Sequence, residues 1–324
     1  MKKIISILLV LVMVLSVFAL TSCKGKVLKF GLGVATSVSA TDAAADKAGE
    51  GKLTVTAAAV LLDKDGKIVK AVIDCADSAV KYTAEGKAEK AGEFKTKYEQ
   101  GADYGMKTNA RSDKEWYEQA DAFCALVVGK SADDLAGLVA ADYKGTEEVV
   151  NAGCTISVSD FVVALEAAIA NAAESEATEK ATLKLGVSTS ATPTDATADK
   201  AGSNKVETTV YAAAVDADGK VIVASADAVE ADFTFDVEGK STFDAKRKLL
   251  SKRQKGDDYG LKTYAGSDKE WYEQADVFCA KTVGKTASDM ASLMGADYKG
   301  SADVQAAGCT IYVIGFVKAA AKIG

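Results

Sequence analysis

The chain repeats itself, and this repeat constrains its architecture more than any other feature. GVATSVSATDAAADKAG, which starts at Gly33, returns as GVSTSATPTDATADKAG from Gly186, at an offset of 153 residues. Further along, GADYGMKT returns as GDDYGLKT at an offset of 155. A period of this length is too long for a solenoid and is typical of tandem domains. We therefore predict two homologous domains, residues 23–178 and 179–324.

Each copy begins with strand-like sequence. LTVTAAAVLLDKDGKIVKAVID in the first copy and ETTVYAAAVDADGKVIVASAD in the second each contain two β-prone runs. The runs are joined by DKDG or DADG, which are hairpin turn signals. AVKYTAEGK, residues 79–87, indicates a further strand. The expected sheet is an antiparallel meander.

Helical spacing follows in the second half of each copy. SDKEWYEQADAFCALVVGK predicts an amphipathic helix that starts with a capping box of Ser112 and Glu115 and ends near Gly129. SADDLAGL predicts a short helix, CTISV an extended segment, and SDFVVALEAAIANA a third helix, which residues 172–182 would continue as a stiff linker. Strands followed by helices predict an α+β fold, with two tandem homologous domains, each an antiparallel β-meander packed with helices.

The N-terminus has the pattern of a secretion signal. Lys2 and Lys3 precede an apolar run over residues 4–20, and LTSC follows with small residues before Cys23. This arrangement resembles the lipobox of bacterial lipoproteins. We expect a signal peptide over residues 1–22, and a mature chain anchored in the lipid bilayer through Cys23 on the extracellular face of the cell membrane. The alternative is a transmembrane anchor, although the apolar run is short for a span.

Composition excludes several classes of chemistry. Histidine is absent, so histidine-based nucleophilic pairs, general bases and zinc sites are excluded. A formal charge of −7 and a pI near 5.0 leave no basic footprint for nucleic acid. Without CxxC pairs, no metal site is expected. The remaining cysteines could be buried free thiols or could form a disulfide within each copy, Cys124 to Cys154 and Cys279 to Cys309.

A Gly-Cys-Thr triplet recurs near the end of each copy. The glycines let the backbone be approached closely and let the threonine hydroxyl be presented at the edge of an element. Each triplet resembles the flavinylation segment of FMN-binding domains, in which the threonine is esterified to the FMN phosphate by an extracytoplasmic flavin transferase. Those domains usually carry alanine where this chain has cysteine. The two candidate sites are Gly153, Cys154 and Thr155, and Gly308, Cys309 and Thr310.

The resemblance extends along the chain through the lipobox, ATADKAG, DYGMK, KEWYEQA and VGK. Together these resemble flavinylated lipoproteins of extracellular electron transfer in Gram-positive bacteria. The resemblance implies two covalent FMN groups, a membrane quinol-linked electron donor and an extracellular acceptor such as ferric iron. It implies a redox carrier, not an enzyme with its own substrate site.

Aromatic residues could cover the flavin ring. Trp116 and Trp271, with the tyrosines beside them, are candidates, and the alternative for each tryptophan is a purely structural place in the core. The tyrosines are Tyr104, Tyr117, Tyr259 and Tyr272.

Two other functions are compatible with the sequence. One is a cofactor-free cell-surface lipoprotein that binds a ligand or acts as an adhesin. The other is a role for the released signal peptide, whose LLVLVMVLSVFAL resembles peptide pheromone precursors.

Overall fold

The computed structural model describes residues 26–324, which fold into two antiparallel sheets with helices packed on them. This confirms the predicted α+β class. The strand orders are β3-β2-β1-β4 and β5-β6-β7. The strands are β1 (Val27–Thr41), β2 (Gly49–Leu62), β3 (Ile68–Tyr82), β4 (Ala173–Thr178), β5 (Thr182–Thr194), β6 (Gly202–Val215) and β7 (Val221–Phe235).

Most helices are short, but each copy has a long helix that begins at its tryptophan, and the first copy has a second long helix from Ser159. In the first copy the helices are α1 (Lys97–Gln100), α2 (Met106–Asn109), α3 (Trp116–Leu126), α4 (Ala132–Leu135), α5 (Glu147–Asn151) and α6 (Ser159–Ala170). In the second copy they are α7 (Lys252–Lys255), α8 (Leu261–Ala265), α9 (Trp271–Thr282), α10 (Ala302–Ala306) and α11 (Ile314–Ala320). Short 3-10 helices cover Gly101–Tyr104, Ala136–Leu138, Gly256–Tyr259, Ala287–Leu293 and Ala321–Ile323.

The two sheets pack face to face, so the two copies share one hydrophobic core. Side chains alternate along β2: Leu53 and Val55 enter this shared core, whereas Ala58 and Val60 face the helices of the first copy. From the second copy, β6 and β7 contribute residues such as Val210 and Phe233. The order of layers is therefore helices, sheet, sheet, helices.

Glycine brings one helix of each copy close to its sheet. A Cβ atom at Gly31 or Gly33 of β1 would collide with the backbone of α6 at Ala168 and Ala164. Gly186 of β5 meets α11 in the same way. These helices follow the Gly-Cys-Thr triplets directly, so their close packing fixes the position of the triplets against the sheets.

The contacts between the copies are reciprocal. The Ala43 N–H donates a hydrogen bond to the Gly239 carbonyl at 2.8 Å, and the equivalent Ala196 N–H donates to the Gly86 carbonyl at 2.8 Å. Exchange of equivalent partners is characteristic of an isologous two-fold interface. The duplicated chain therefore folds as an internal pseudo-dimer.

Several sequence-based predictions hold. The DKDG and DADG turns connect β2 to β3 and β6 to β7. The short helix in SADDLAGL and the helix from Ser159 are present. The further strand predicted at residues 79–87 is absent: residues 79–82 are the end of the long strand β3, and residues 83–87 form a turn. The third strand of the meander is β1, which pairs with the other side of β2.

Two helix boundaries were predicted wrongly. Helix α3 begins at Trp116, and its capping box consists of Glu115 and Glu118, not Ser112 and Glu115. The Ser112 hydroxyl is engaged elsewhere, because it accepts hydrogen bonds from the Gln119 side chain and the Lys114 backbone. At the other end, Gly129 is left-handed with φ 82°, three residues beyond the last helical residue.

The segment after α6 does not continue the helix. The helix ends at Ala170, and residues 173–178 form β4, which pairs antiparallel with β1. Likewise CTISV is not a strand, because within it only Ser157 makes an isolated β-bridge, to Lys144. In both segments the backbone hydrogen-bonds to a partner that tertiary packing places beside it, and these contacts outweigh the local sequence preference.

The N-terminal predictions concern residues 1–22 and Cys23, which lie outside the described residues. Within residues 26–324, no helix is long and apolar enough to cross a membrane.

Candidate functional site

The Gly-Cys-Thr triplet of each copy forms the turn between two helices. Gly153 follows α5 with φ 96°, a left-handed conformation suited to glycine. Cys154 then points into the core, and Thr155 is exposed. The second copy repeats this arrangement with Gly308 at φ 100°, a buried Cys309 and an exposed Thr310.

A buried glutamine holds the exposed threonine. The side-chain oxygen of Gln119 accepts hydrogen bonds from the Thr155 backbone N–H at 2.7 Å and from its hydroxyl at 3.0 Å. Gln274 binds Thr310 in the same way, at 2.8 and 3.2 Å. Each threonine hydroxyl therefore has a defined direction, and the residue that carries it is exposed.

The hydrogen bonds of the Gln119 NH₂ group set the orientation of its side-chain amide. The Gln119 NH₂ group donates to the Ser112 hydroxyl at 3.1 Å and to the Lys114 carbonyl at 3.2 Å. Because both partners accept, the amide oxygen must face Thr155. The role of this glutamine is not evident from the sequence. It lies in the KEWYEQA run that both copies share, but nothing in that run indicates a partner 36 residues away.

Lysine side chains bring positive charge to the triplets. A Cβ atom at Gly153 would overlap the ammonium group of Lys114, so this lysine lies directly over the triplet. In the second copy Lys269 and Lys299 line a pocket of about 550 Å³ that includes Thr310. Lysine ammonium groups beside an exposed hydroxyl suit a phosphate bound at that position.

An aromatic cleft lies beside the triplet in each copy. Its volume is about 480 Å³ in the first copy and about 410 Å³ in the second. In the second copy, Leu261 and Ile311 line both the cleft and the pocket that includes Thr310, so these two spaces adjoin. Equivalent residues line the two clefts: Lys97, Tyr104, Trp116, Ile156 and Phe161 in one, and Lys252, Tyr259, Trp271, Ile311 and Phe316 in the other.

The tryptophans are core residues that also border the clefts. Trp116 is 3% exposed and packs edge-on against Phe161, with ring centroids 5.6 Å apart. Trp271 is 4% exposed and contacts Phe316 at 5.5 Å. The alternative of a structural place in the core is therefore confirmed for both tryptophans, and each ring also lines a cleft. Contact with a flavin ring stays a prediction.

The four candidate tyrosines fall into two groups. Tyr104 and Tyr259 line the clefts. Tyr117 packs instead against Tyr98, with ring centroids 5.8 Å apart, and the Tyr272 hydroxyl donates to Asp257 at 3.0 Å. Neither of the latter two lies among the cleft residues.

The cysteines offer no chemistry to the site. Among residues 26–324 all five are free and buried. Burial raises the pKa of Cys154 to about 11 and that of Cys309 to about 11, so both stay neutral thiols at physiological pH. No group of side chains in the described chain is arranged to hold a metal ion.

The residues at the site fit an FMN group. Each cleft has the size of small-molecule sites, combines aromatic and apolar walls with charged and hydroxyl-bearing side chains, and lies next to an exposed threonine with lysine nearby. An isoalloxazine ring needs such walls, and a phosphate needs such a cation. No protein-family model, curated protein or solved structure matches the chain.

Proposed function

We propose that the protein is a lipid-anchored extracellular electron carrier with FMN esterified to Thr155 and to Thr310. The observation that carries this proposal is the position of each exposed threonine hydroxyl, held by a buried glutamine next to an aromatic cleft. Both copies have the same arrangement, so one flavin per copy is proposed.

Attachment by the transferase joins the threonine oxygen to the flavin phosphorus and breaks the phosphoanhydride bond of a flavin dinucleotide donor, so that a nucleoside monophosphate leaves and the hydroxyl proton is released. Gln119 accepts the hydrogen bond from that hydroxyl and so orients its oxygen. A neutral amide is not a base, so the proton must be taken up by the flavin transferase. The role of the chain is to present the hydroxyl, and Lys114 offers positive charge to the phosphate.

The cleft would then hold the ring. FMN supplies the redox chemistry, by accepting and releasing electrons. The aromatic side chains of Tyr104 and Trp116 offer faces and edges for ring contacts, and Ile156 and Phe161 exclude water from one side. No acid or base from the protein is needed, which suits a chain without histidine.

The cellular role follows from the proposed anchor. A lipid on Cys23 would hold the protein at the outer face of the membrane, where a quinol-linked donor could reach it. Ferric iron outside the cell is the proposed acceptor. Covalent attachment has a clear advantage there, because a freely dissociating cofactor would be lost to the medium.

Mass spectrometry of protein made together with its flavin transferase tests the proposal. The mature chain should gain the mass of two FMN groups, stay yellow after acid precipitation and reduce ferric iron when supplied with a donor. Thr155→Ala and Thr310→Ala should each remove one FMN, and the double variant should be colourless.

Two further variants serve as controls. Thr155→Ser keeps the hydroxyl and should keep partial labelling. Thr108→Ala changes another exposed threonine and should leave both flavins in place. A colourless parent protein from the native host, with no added mass, would reject the proposal in favour of a cofactor-free surface lipoprotein.

A further inference from the structure

A lysine lies against the aromatic wall of each cleft. The Lys97 ammonium nitrogen is 5.4 Å from the ring centroid of Tyr104 and 5.7 Å from that of Trp116. In the second copy Lys252 lies 5.4 Å from Tyr259 and 5.5 Å from Trp271. These distances are within the range of cation–π contacts.

Both lysines are largely buried. The side chain of Lys97 is 16% exposed and that of Lys252 is 6% exposed. Buried lysines are uncommon and need a charged partner. Lys97 pairs with Asp77 at 3.3 Å, and Lys252 pairs with Glu207 at 3.2 Å and Glu230 at 3.5 Å.

These partners keep the lysines charged. Burial by itself would lower the pKa of Lys97, but attraction to the Asp77 carboxylate raises it above the ordinary value. For Lys252 burial is likewise outweighed by Glu207 and Glu230, and the pKa is raised. Each cleft therefore contains a permanent cation at neutral pH, at a place where its charge is little screened by water.

We infer that Lys97 and Lys252 set the reduction potential of the ring that occupies each cleft. This inference rests on the proposed function. Two-electron reduction of FMN at neutral pH takes up two electrons from the donor and one proton from water, so the net charge of the ring falls by one. A fixed cation in the cleft stabilises the more negative form and raises the potential.

The lysine of the second cleft has a carboxylate partner that the first lacks, which makes the effect testable in both directions. The clefts also differ at Asp160 of the first, where the second has Gly315. Thr54 in the first cleft is equivalent to Glu207 in the second, since the offset there is 153. The charge of Lys252 is therefore shared between two carboxylates, whereas that of Lys97 is paired with Asp77. Adding the carboxylate to the first copy should lower its potential, and removing it from the second should raise the potential there.

The test is a spectroscopic redox titration with dithionite on chains that carry one flavin. In Thr310→Ala, which keeps the first site, adding Lys97→Met should shift the reduction equilibrium at least tenfold toward the oxidised form. That is a fall of about 30 mV for a two-electron couple. Lys97→Arg should keep the parent potential, and Lys95→Met, which changes an exposed lysine nearby, should leave it unchanged.

Exchanging the residues at positions 54 and 207 between the copies gives a second test, which still answers the question if Lys97→Met does not fold. Thr54→Glu in the first site should lower its potential, and Glu207→Thr in a Thr155→Ala chain should raise that of the second. Equal potentials in the parent and in these variants, with flavin fully bound, would overturn the inference while leaving the proposed function intact. A parent chain without covalent flavin would instead reject the proposed function, and the inference with it.

Discussion

Tyr82 and Phe235 occupy equivalent positions in the two copies and stack on each other, with ring centroids 4.3 Å apart and planes 8° from parallel. Both side chains are fully buried, and the Tyr82 hydroxyl donates to the Thr41 carbonyl at 2.8 Å. Tyr82 is the last residue of β3, and Phe235 is the last residue of β7. The stacked pair therefore packs the end of β3 in the first copy against the end of β7 in the second.

Phe235→Ala should destabilise the whole chain and not the second copy alone. Removing a buried aromatic ring typically costs about 3–5 kcal/mol, and the ring here packs against the other copy. Denaturant unfolding followed by fluorescence should show one cooperative transition that moves to lower denaturant. Val237→Ala, at a position 44% exposed, is the control and should change stability by within about 0.5 kcal/mol. Two separate transitions in the parent protein would contradict a shared core.

Gln119→Leu should reduce flavin attachment at Thr155 and leave Thr310 unaffected. Leucine keeps much of the volume but removes the oxygen that holds the threonine N–H and hydroxyl. Peptide mass spectrometry after expression with the transferase measures occupancy at each site. Gln274→Leu is the matched control and should show the reverse pattern. Full occupancy of Thr155 in Gln119→Leu would mean that the glutamine does not prepare the hydroxyl.

Asp74→Asn should remove a pH dependence of stability. Burial raises the pKa of Asp74 from 3.8 to about 6, against hydrogen bonds from Thr96, Cys75 and Tyr98 that lower it. The folded chain thus holds a proton that the unfolded chain has released, so this carboxyl's contribution to stability is lost as pH rises from about 4 to 6. The linked free energy is about 3 kcal/mol.

Urea denaturation at pH 4 and pH 7 measures this effect as the difference between the parent and Asp74→Asn. The parent should lose stability relative to the variant as the pH rises. Asp133→Asn, which removes an exposed carboxyl, should follow the parent. A constant difference between parent and Asp74→Asn at both pH values would show that Asp74 has an ordinary pKa in the folded protein.

Cys154→Ala and Cys309→Ala should both keep their flavin. The thiols are buried in the cores under the helices, whereas the threonines beside them are exposed. Filling the position with alanine should cost about 1–2 kcal/mol through lost packing. In-gel flavin fluorescence, with circular dichroism to check folding, gives the answer. Folded variants without fluorescence would assign the cysteine a chemical role that its burial argues against.

Cys23→Ala should release the folded protein into the medium. The lipobox resemblance makes this thiol the expected site of the lipid, and no helix among residues 26–324 could replace it as a membrane span. Cell fractionation and immunoblotting measure the distribution. Retention of the variant in the membrane fraction would show that another contact holds the protein there.

Local patterns in the sequence predicted much of the fold because the contacts involved are local. The DKDG turn works through Asp63, whose carboxylate accepts from the N–H groups of Asp65 and Lys67 within the same turn. The helix from Trp116 follows from apolar spacing along one face. The segment that became β4 was misread as helical, since its partner, β1, lies more than 130 residues earlier in the chain.

The same distinction between local and long-range contacts applies to the candidate site. The sequence by itself pointed to the hydroxyls of Thr155 and Thr310, because the triplet and its turn-forming glycine recur in both copies. Only the tertiary structure brought Gln119 to Thr155 and placed Lys97 and Trp116 in one cleft. It also decided that the two copies share a core. The physical reason is that these contacts join surfaces made by separate elements, and side-chain packing, which no local periodicity encodes, selects which surfaces meet.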